Sequence, residues 1–212
     1  MPGHGVGLAT EFEVTDLMMR ASEFTGHRKG FTLFELMIVL TMISVMAGIA
    51  FWKIDIARYQ INGDQQVVGT ALIAAQREAI AKQHNVVVVF DDAHHTMMIA
   101  SDDNNNGQMD AGENVRSISL GDRVRYGIGS ATPMAWGASG ISFTVLEGST
   151  GLPAVIFYRN GSASESRGVY LASTRALSDP AFVKDVRAIH VERATGRAEW
   201  WHYDGATWIR GF

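Results

Sequence analysis

Residues 30–52 read GFTLFELMIVLTMISVMAGIAFW, and the architecture turns on this stretch. From Phe31 to Trp52 the only ionisable residue is Glu35, and no proline interrupts the run. As a helix it would extend about 33 Å, enough to cross a hydrocarbon core of roughly 30 Å. A transmembrane helix over residues 31–52 is therefore expected. His27, Arg28 and Lys29 stand directly before the run, and Lys53, Asp55 and Arg58 follow it. Basic residues ahead of a span stay cytoplasmic, so the N-terminus is expected on that side and the rest of the chain across the membrane. A carboxylate placed in hydrocarbon costs about 2.5–3.5 kcal/mol on insertion scales, which marks Glu35 as a functional residue. The bland alternatives are a side chain that snorkels to the headgroups or is protonated.

The whole chain has 212 residues, 47% apolar and 19% charged, with a formal net charge of −4. That apolar content supports a packed core and excludes a disordered chain. With no cationic excess to neutralise phosphates, an ordinary basic nucleic-acid binder is excluded too. Cysteine is absent, which removes disulfides, thiolate metal sites and cysteine nucleophiles. No nucleophile elbow or other catalytic signature occurs. Gly137–Gly140 lacks the lysine and the strand–helix setting of a phosphate loop. The histidines are scattered, and His94-His95 read as a hairpin turn lacking the further ligands that a metal site needs. No enzyme is expected.

In a secretory signal, small residues close the apolar stretch as a cleavage site; here basic residues and a glycine open it. Gly30-Phe31-Thr32-Leu33-Phe34-Glu35 resembles the processing site of type IV prepilins and pseudopilins. The resemblance implies a cut by prepilin peptidase between Gly30 and Phe31, on the cytoplasmic side, followed by N-methylation of Phe31. It also implies that Glu35 pairs with the terminal amine of a neighbouring subunit during filament assembly. Two charges that are each costly in the membrane would thereby neutralise one another. Residues 1–30 would then be a leader, long for this class and carrying Glu11, Glu13, Asp16 and Glu23; a start at Met18 or Met19 would give a shorter, more basic one.

Beyond Trp52 the helical pattern continues over residues 53–84 as an amphipathic helix, with Val68, Leu72, Ala75 and Ala79 at spacings of three and four forming its core-facing stripe. Gly63-Asp64 reads as a weak point or kink. From residue 85 to 212 the period changes to two. Strands are expected near 86–90, 96–100, 115–120, 123–126, 141–146, 154–158, 168–172, 187–192 and 199–203. Val86-Val87-Val88-Val89 is the clearest, because a β-branched run suits a sheet. Asn160-Gly161 and Asp204-Gly205 signal turns, Gly127–Gly140 a loop, and Ala176–Lys184 one short helix. The fold class is α+β: a long N-terminal helix, membrane-spanning in its first half, packed on a mostly antiparallel β head of one core.

The sequence Asp102-Asp103-Asn104-Asn105-Asn106-Gly107-Gln108-Met109-Asp110-Ala111-Gly112-Glu113 meets the spacing of a calcium loop. Asp102, Asn104, Asn106, the Gln108 carbonyl, Asp110 and Glu113 would supply oxygens to a structural ion, with Gly107 making the turn. The flanks read as strands, where an EF-hand needs helices, and a solvated hairpin loop is the plainer account. The same segment resembles the hairpin loop of GspH- and FimT-type minor pilins, and Phe143, Gly161 and Thr195-Gly196-Arg197 fit that group. FimT-like proteins that take up DNA carry Gly-Arg-x-Arg; this chain has Gly196-Arg197-Ala198-Glu199, so nucleic acid is not the expected partner. Aromatics at Trp200, Trp201, Tyr203 and Trp208 would cover the core or dock a subunit.

The resemblance implies a minor pseudopilin of type II secretion. Its partners would be prepilin peptidase, other pseudopilins, an inner-membrane assembly platform and membrane lipid. The chain would be a single-pass inner-membrane protein with a periplasmic head, later part of a pseudopilus. The alternatives are a FimT-type minor pilin serving pilus initiation or DNA uptake, and a membrane-tethered calcium-binding protein that does not polymerise.

Overall fold

The computed structural model describes residues 30–51 and 55–211. The chain divides into two units, Met1–Ile54 and Asp55–Phe212. In the first, Leu33–Phe51 form helix α1. Most of the expected leader, and residues 52–54 through which the sequence carries the helix onward, lie outside the described residues.

The second unit opens with helix α2, Ile56–Lys82. The Asp55 carboxylate accepts the Arg58 N–H at 3.2 Å and so occupies one of the unpaired donors of the first turn. Gln83, left-handed at φ 58°, ends the helix. Val68, Leu72, Ala75 and Ala79 are buried as their spacing requires, together with Ile61. Gly63 does not break the helix, contrary to the sequence expectation. A helical glycine costs only about 1 kcal/mol, and the buried Ile61 and Val68 on either side hold the turn in place.

The strands are β1 (Asn85–Asp91), β2 (Thr96–Asp102), β3 (Val115–Ser119), β4 (Val124–Tyr126), β5 (Ala154–Phe157), β6 (Arg167–Ser173), β7 (Val186–Val191), β8 (Ala198–Tyr203) and β9 (Trp208–Arg210). They form two sheets, ordered β3-β2-β1-β5 and β4-β6-β7-β8-β9. Every pairing is antiparallel. Helix α2 contacts both sheets. The core joins Ile61, Val68 and Leu72 of α2 to Val86, Val88 and Phe90 of one sheet and Val169, Leu171 and Ile189 of the other. On the outer side of β1, Val87 and Val89 are covered by Met98, Met109, Leu152 and Ile156. Burial on both faces explains why β1 is an unbroken apolar run.

Three elements depart from the sequence reading. Residues 141–146 make only single bridges, Ile141 to Val169 and Leu146 to Pro153. This segment crosses from one sheet to the other. Ser142 donates its N–H to Gly168 of β6. The Thr144 and Val145 N–H groups go to the Glu165 carboxylate, and the Val145 carbonyl accepts from Ala154 of β5. With its donors divided this way, no ladder can form along it. The single helix expected over 176–184 is two elements, α3 (Thr174–Ser178) and a 3-10 helix (Pro180–Asp185). Pro180 has no N–H and disfavours a helical residue before it, so the chain must break at Asp179. Strand β9 was not expected; the Asp204-Gly205 turn folds it back, pairing Trp208 with Tyr203.

Candidate functional site

Gly30 and Phe31 precede α1, and Phe31 is 77% exposed. Thr32 caps the helix: its hydroxyl accepts the Glu35 N–H at 3.2 Å and its carbonyl the Leu36 N–H at 3.1 Å. Thr32 and Glu35 thus stand at the spacing of a capping box. Glu35 lies in the first turn, where the partial positive charge of the helix N-terminus favours an acid. The polar side chains deeper in α1 are satisfied within it. Thr41 donates to Ile38 O and Ser44 to Leu40 O, each at 2.8 Å, the local back-bonding open to hydroxyls within a helix. Leu33, Phe34, Leu36, Met37, Ile43 and Val45 are all more than half exposed. So continuous an apolar surface requires a lipid or protein cover.

Among the described residues no helix is long and apolar enough to cross a membrane. Helix α1 has 19 residues, about 28 Å at 1.5 Å each, slightly short of a 30 Å core. Phe31 and Thr32 precede the helix, and Trp52 lies outside the described residues.

The loop joining β2 to β3 carries the six residues proposed for calcium. The buried Asp102 carboxylate accepts the N–H groups of Asn106 at 2.9 Å and Gly107 at 2.8 Å. Asn104 and Asn106 present their oxygens to the N–H groups of Asn106 and Gln108, at 3.0 and 2.8 Å. Both also donate side-chain N–H to Asp110 at 2.7 Å. Glu113 accepts from Asp103 at 3.1 Å and from Asp110 at 2.9 Å. Gly107, at φ 77°, makes the turn assigned to it. These carboxylates therefore face the loop's own donors, and among the described residues no group of three or more His, Asp or Glu side chains gathers as metal ligands.

Sequence reasoning missed the residue that anchors this loop. Glu147 is 1% exposed and accepts the Met109 N–H at 2.9 Å, as well as donors from Ser149 and Thr150. Burial opposes its ionisation, but the Thr150, Met109 and Ser149 donors outweigh it and hold the carboxyl at about 2. Gln76 was missed as well. Its side-chain amide on α2 donates to the Gly161 carbonyl at 2.9 Å and to that of Thr195, clasping two turns that the sequence singled out. Only the Glu-Gly-Ser-Thr run at 147–150 offered a local signal.

At the C-terminal end, Trp200 packs where Gly69 of α2 leaves room, and Trp208 lies between Tyr170 and Tyr203 at centroid distances of 5.5 and 5.1 Å. Arg197 and Arg210 both pair with Glu199. The acid that replaces the second arginine of Gly-Arg-x-Arg therefore occupies both neighbouring guanidinium groups.

The family profile described as a prokaryotic N-terminal methylation motif matches residues 26–51. Two solved structures match the chain, both of the minor pseudopilin EpsH from the type 2 secretion system of Vibrio cholerae. One is 8% identical, covers 72% of this chain and 96% of its own, and has a TM-score of 0.41. The other, a crystal structure, is 11% identical, covers 68% and 96%, and has a TM-score of 0.40. No curated protein matches the chain in sequence. The motif bears out the resemblance to type IV pilin-like proteins read from Gly30–Glu35. The α+β architecture, an N-terminal helix followed by an antiparallel head, is the one expected.

Proposed function

We propose that this chain is a GspH-type minor pseudopilin, cut by prepilin peptidase between Gly30 and Phe31 and assembled with other pilin-like subunits into a pseudopilus for protein secretion. The observation that carries the reading is the methylation motif over residues 26–51, placed on an apolar helix whose one acid sits in its first turn. Before assembly, α1 anchors the subunit in the inner membrane, its span completed by the residues flanking the helix. The N-terminus stays cytoplasmic and the head is periplasmic. Cleavage leaves a cationic amine on Phe31. In the filament the Glu35 carboxylate of one subunit meets the amine of another, so neither charge stays unpaired in an apolar core. The protein works by assembly, with no chemistry of its own. Glu199 favours the secretion reading over a DNA-taking FimT-type pilin, because it sets a negative charge between the two guanidinium groups that a phosphate would need.

Glu35→Ala tests the assembly step. Cleavage after Gly30 is expected to proceed as in the wild type, while recovery of the variant in sheared filaments falls about tenfold or more, since losing one partner of a buried ion pair costs about 3–5 kcal/mol. Recovery equal to the wild type would contradict the pairing.

A further inference from the structure

Four strands border the two sheets, and three of them are bonded over, engaged by a side chain or very short. The outer side of β5 is bonded by the Ser162–Ser164 segment: Ser164 donates its N–H to Ile156, and Tyr158 donates to Ser162. On β4, Arg125 turns its guanidinium back onto the carbonyls of Gly121 and Val124, the latter at 2.6 Å. Strand β9 is three residues long, and its Arg210 is drawn to Glu199. Strand β3 differs. It pairs only with β2, and the bonds Ser101 N–H to Asn114 and Leu120 N–H to His95 fix the alternation. Ile118 and Arg116 face β2 with their backbone groups, while Val115, Ser117 and Ser119 turn theirs outward. Among the described residues none of those outward groups has a partner. No proline, lysine or bulge protects this edge, and its one charged side chain, Arg116, is turned onto Glu78, although natural sheets ordinarily blunt such edges.

The side chains specify the occupant. Val115, Ser117 and Ser119 share one face; all are uncharged, and the two serines are small. The other face carries Arg116, about half exposed, above the C-terminal part of α2. Glu78 is shared there between Arg116 and Lys82, at 2.8 Å from each, which leaves one positive charge in excess. A second copy of β3 in antiparallel register would set two copies of Arg116 diagonally on the same face, where like charges repel. The geometry points to β3 as a docking edge for an extended segment of another polypeptide, added antiparallel along Val115–Ser119 with a carboxylate opposite Arg116. In that register Arg116 occupies a non-hydrogen-bonded pair, where opposed side chains approach most closely. The backbone bonds supply attachment, and the carboxylate selects the partner.

Amide hydrogen exchange on the full chain in detergent tests this. The probe is a short capped peptide alternating threonine and valine with a central glutamate; its counterpart carries lysine at the centre. At millimolar concentration the glutamate peptide is expected to slow exchange of the Val115, Ser117 and Ser119 amides about tenfold, and the lysine peptide to leave them unchanged. Ser117→Pro removes an N–H that β2 does not use, and is expected to abolish the protection of the Val115 and Ser119 amides while sparing that of the β1 amides. Unchanged exchange with the glutamate peptide, equal protection by both peptides, or full protection in Ser117→Pro would overturn the proposal. Protection that grows with protein concentration and needs no peptide would overturn it too, by assigning the edge to a second copy.

Discussion

Glu35 stands in an apolar run of sequence and Glu147 in the folded interior. Glu35 was legible because it stands alone in the run 31–52, and a single charge there demands an account. Glu147 was not, because one of its donors comes from Met109, far away in sequence and brought near only by folding. Its folded pKa of about 2 lies below the ordinary 4.5. The depressed value means that ionised Glu147 stabilises the fold above pH 4.5, and that this contribution is lost as pH falls toward 2. Glu147→Gln is therefore expected to destabilise the protein by about 2–3 kcal/mol at pH 7, in urea denaturation followed by tryptophan fluorescence. The difference from the wild type should shrink as pH falls from 4.5 toward 2. A difference independent of pH would contradict the assignment.

At the scale of elements, two glycines of α2 make opposite predictions. A Cβ on Gly69 would come within 2.2 Å of the Trp200 indole. A Cβ on Gly63 would meet nothing within 4 Å. Gly63→Ala should stabilise by about 0.5–1 kcal/mol, the helical advantage of alanine. Gly69→Ala should destabilise by about 1–3 kcal/mol through overpacking, despite that advantage. Thermal unfolding followed by circular dichroism checks both, and equal signs would contradict the packing. The stripe at Val68, Leu72, Ala75 and Ala79 and the valine run of β1 were readable because periodicity and β-branching are local. The crossing at 141–146 was not. Its pattern of apolar residues suits a strand, and only the division of its backbone partners between two sheets and Glu165 shows otherwise.

For the whole molecule, the order of a helical N-terminus and an antiparallel head follows from where the sequence period changes. The division of the head into two sheets that both contact α2 does not, because it depends on pairings such as Val86 with Phe157, far apart in the chain. In the loop at 102–113, whose spacing suits a cation, Asp102 and Glu113 accept backbone N–H groups, contacts that the spacing alone does not show. At the other end of the described chain, Gly30, Phe31 and Glu35 stand together at the start of α1. Mass spectrometry of the N-terminus, on protein isolated from cells with active prepilin peptidase, tests the proposed cut between Gly30 and Phe31 most directly. The expected result is a chain that begins at Phe31 and carries one N-methyl group. A chain that still retains residues preceding Phe31 in those cells would contradict it.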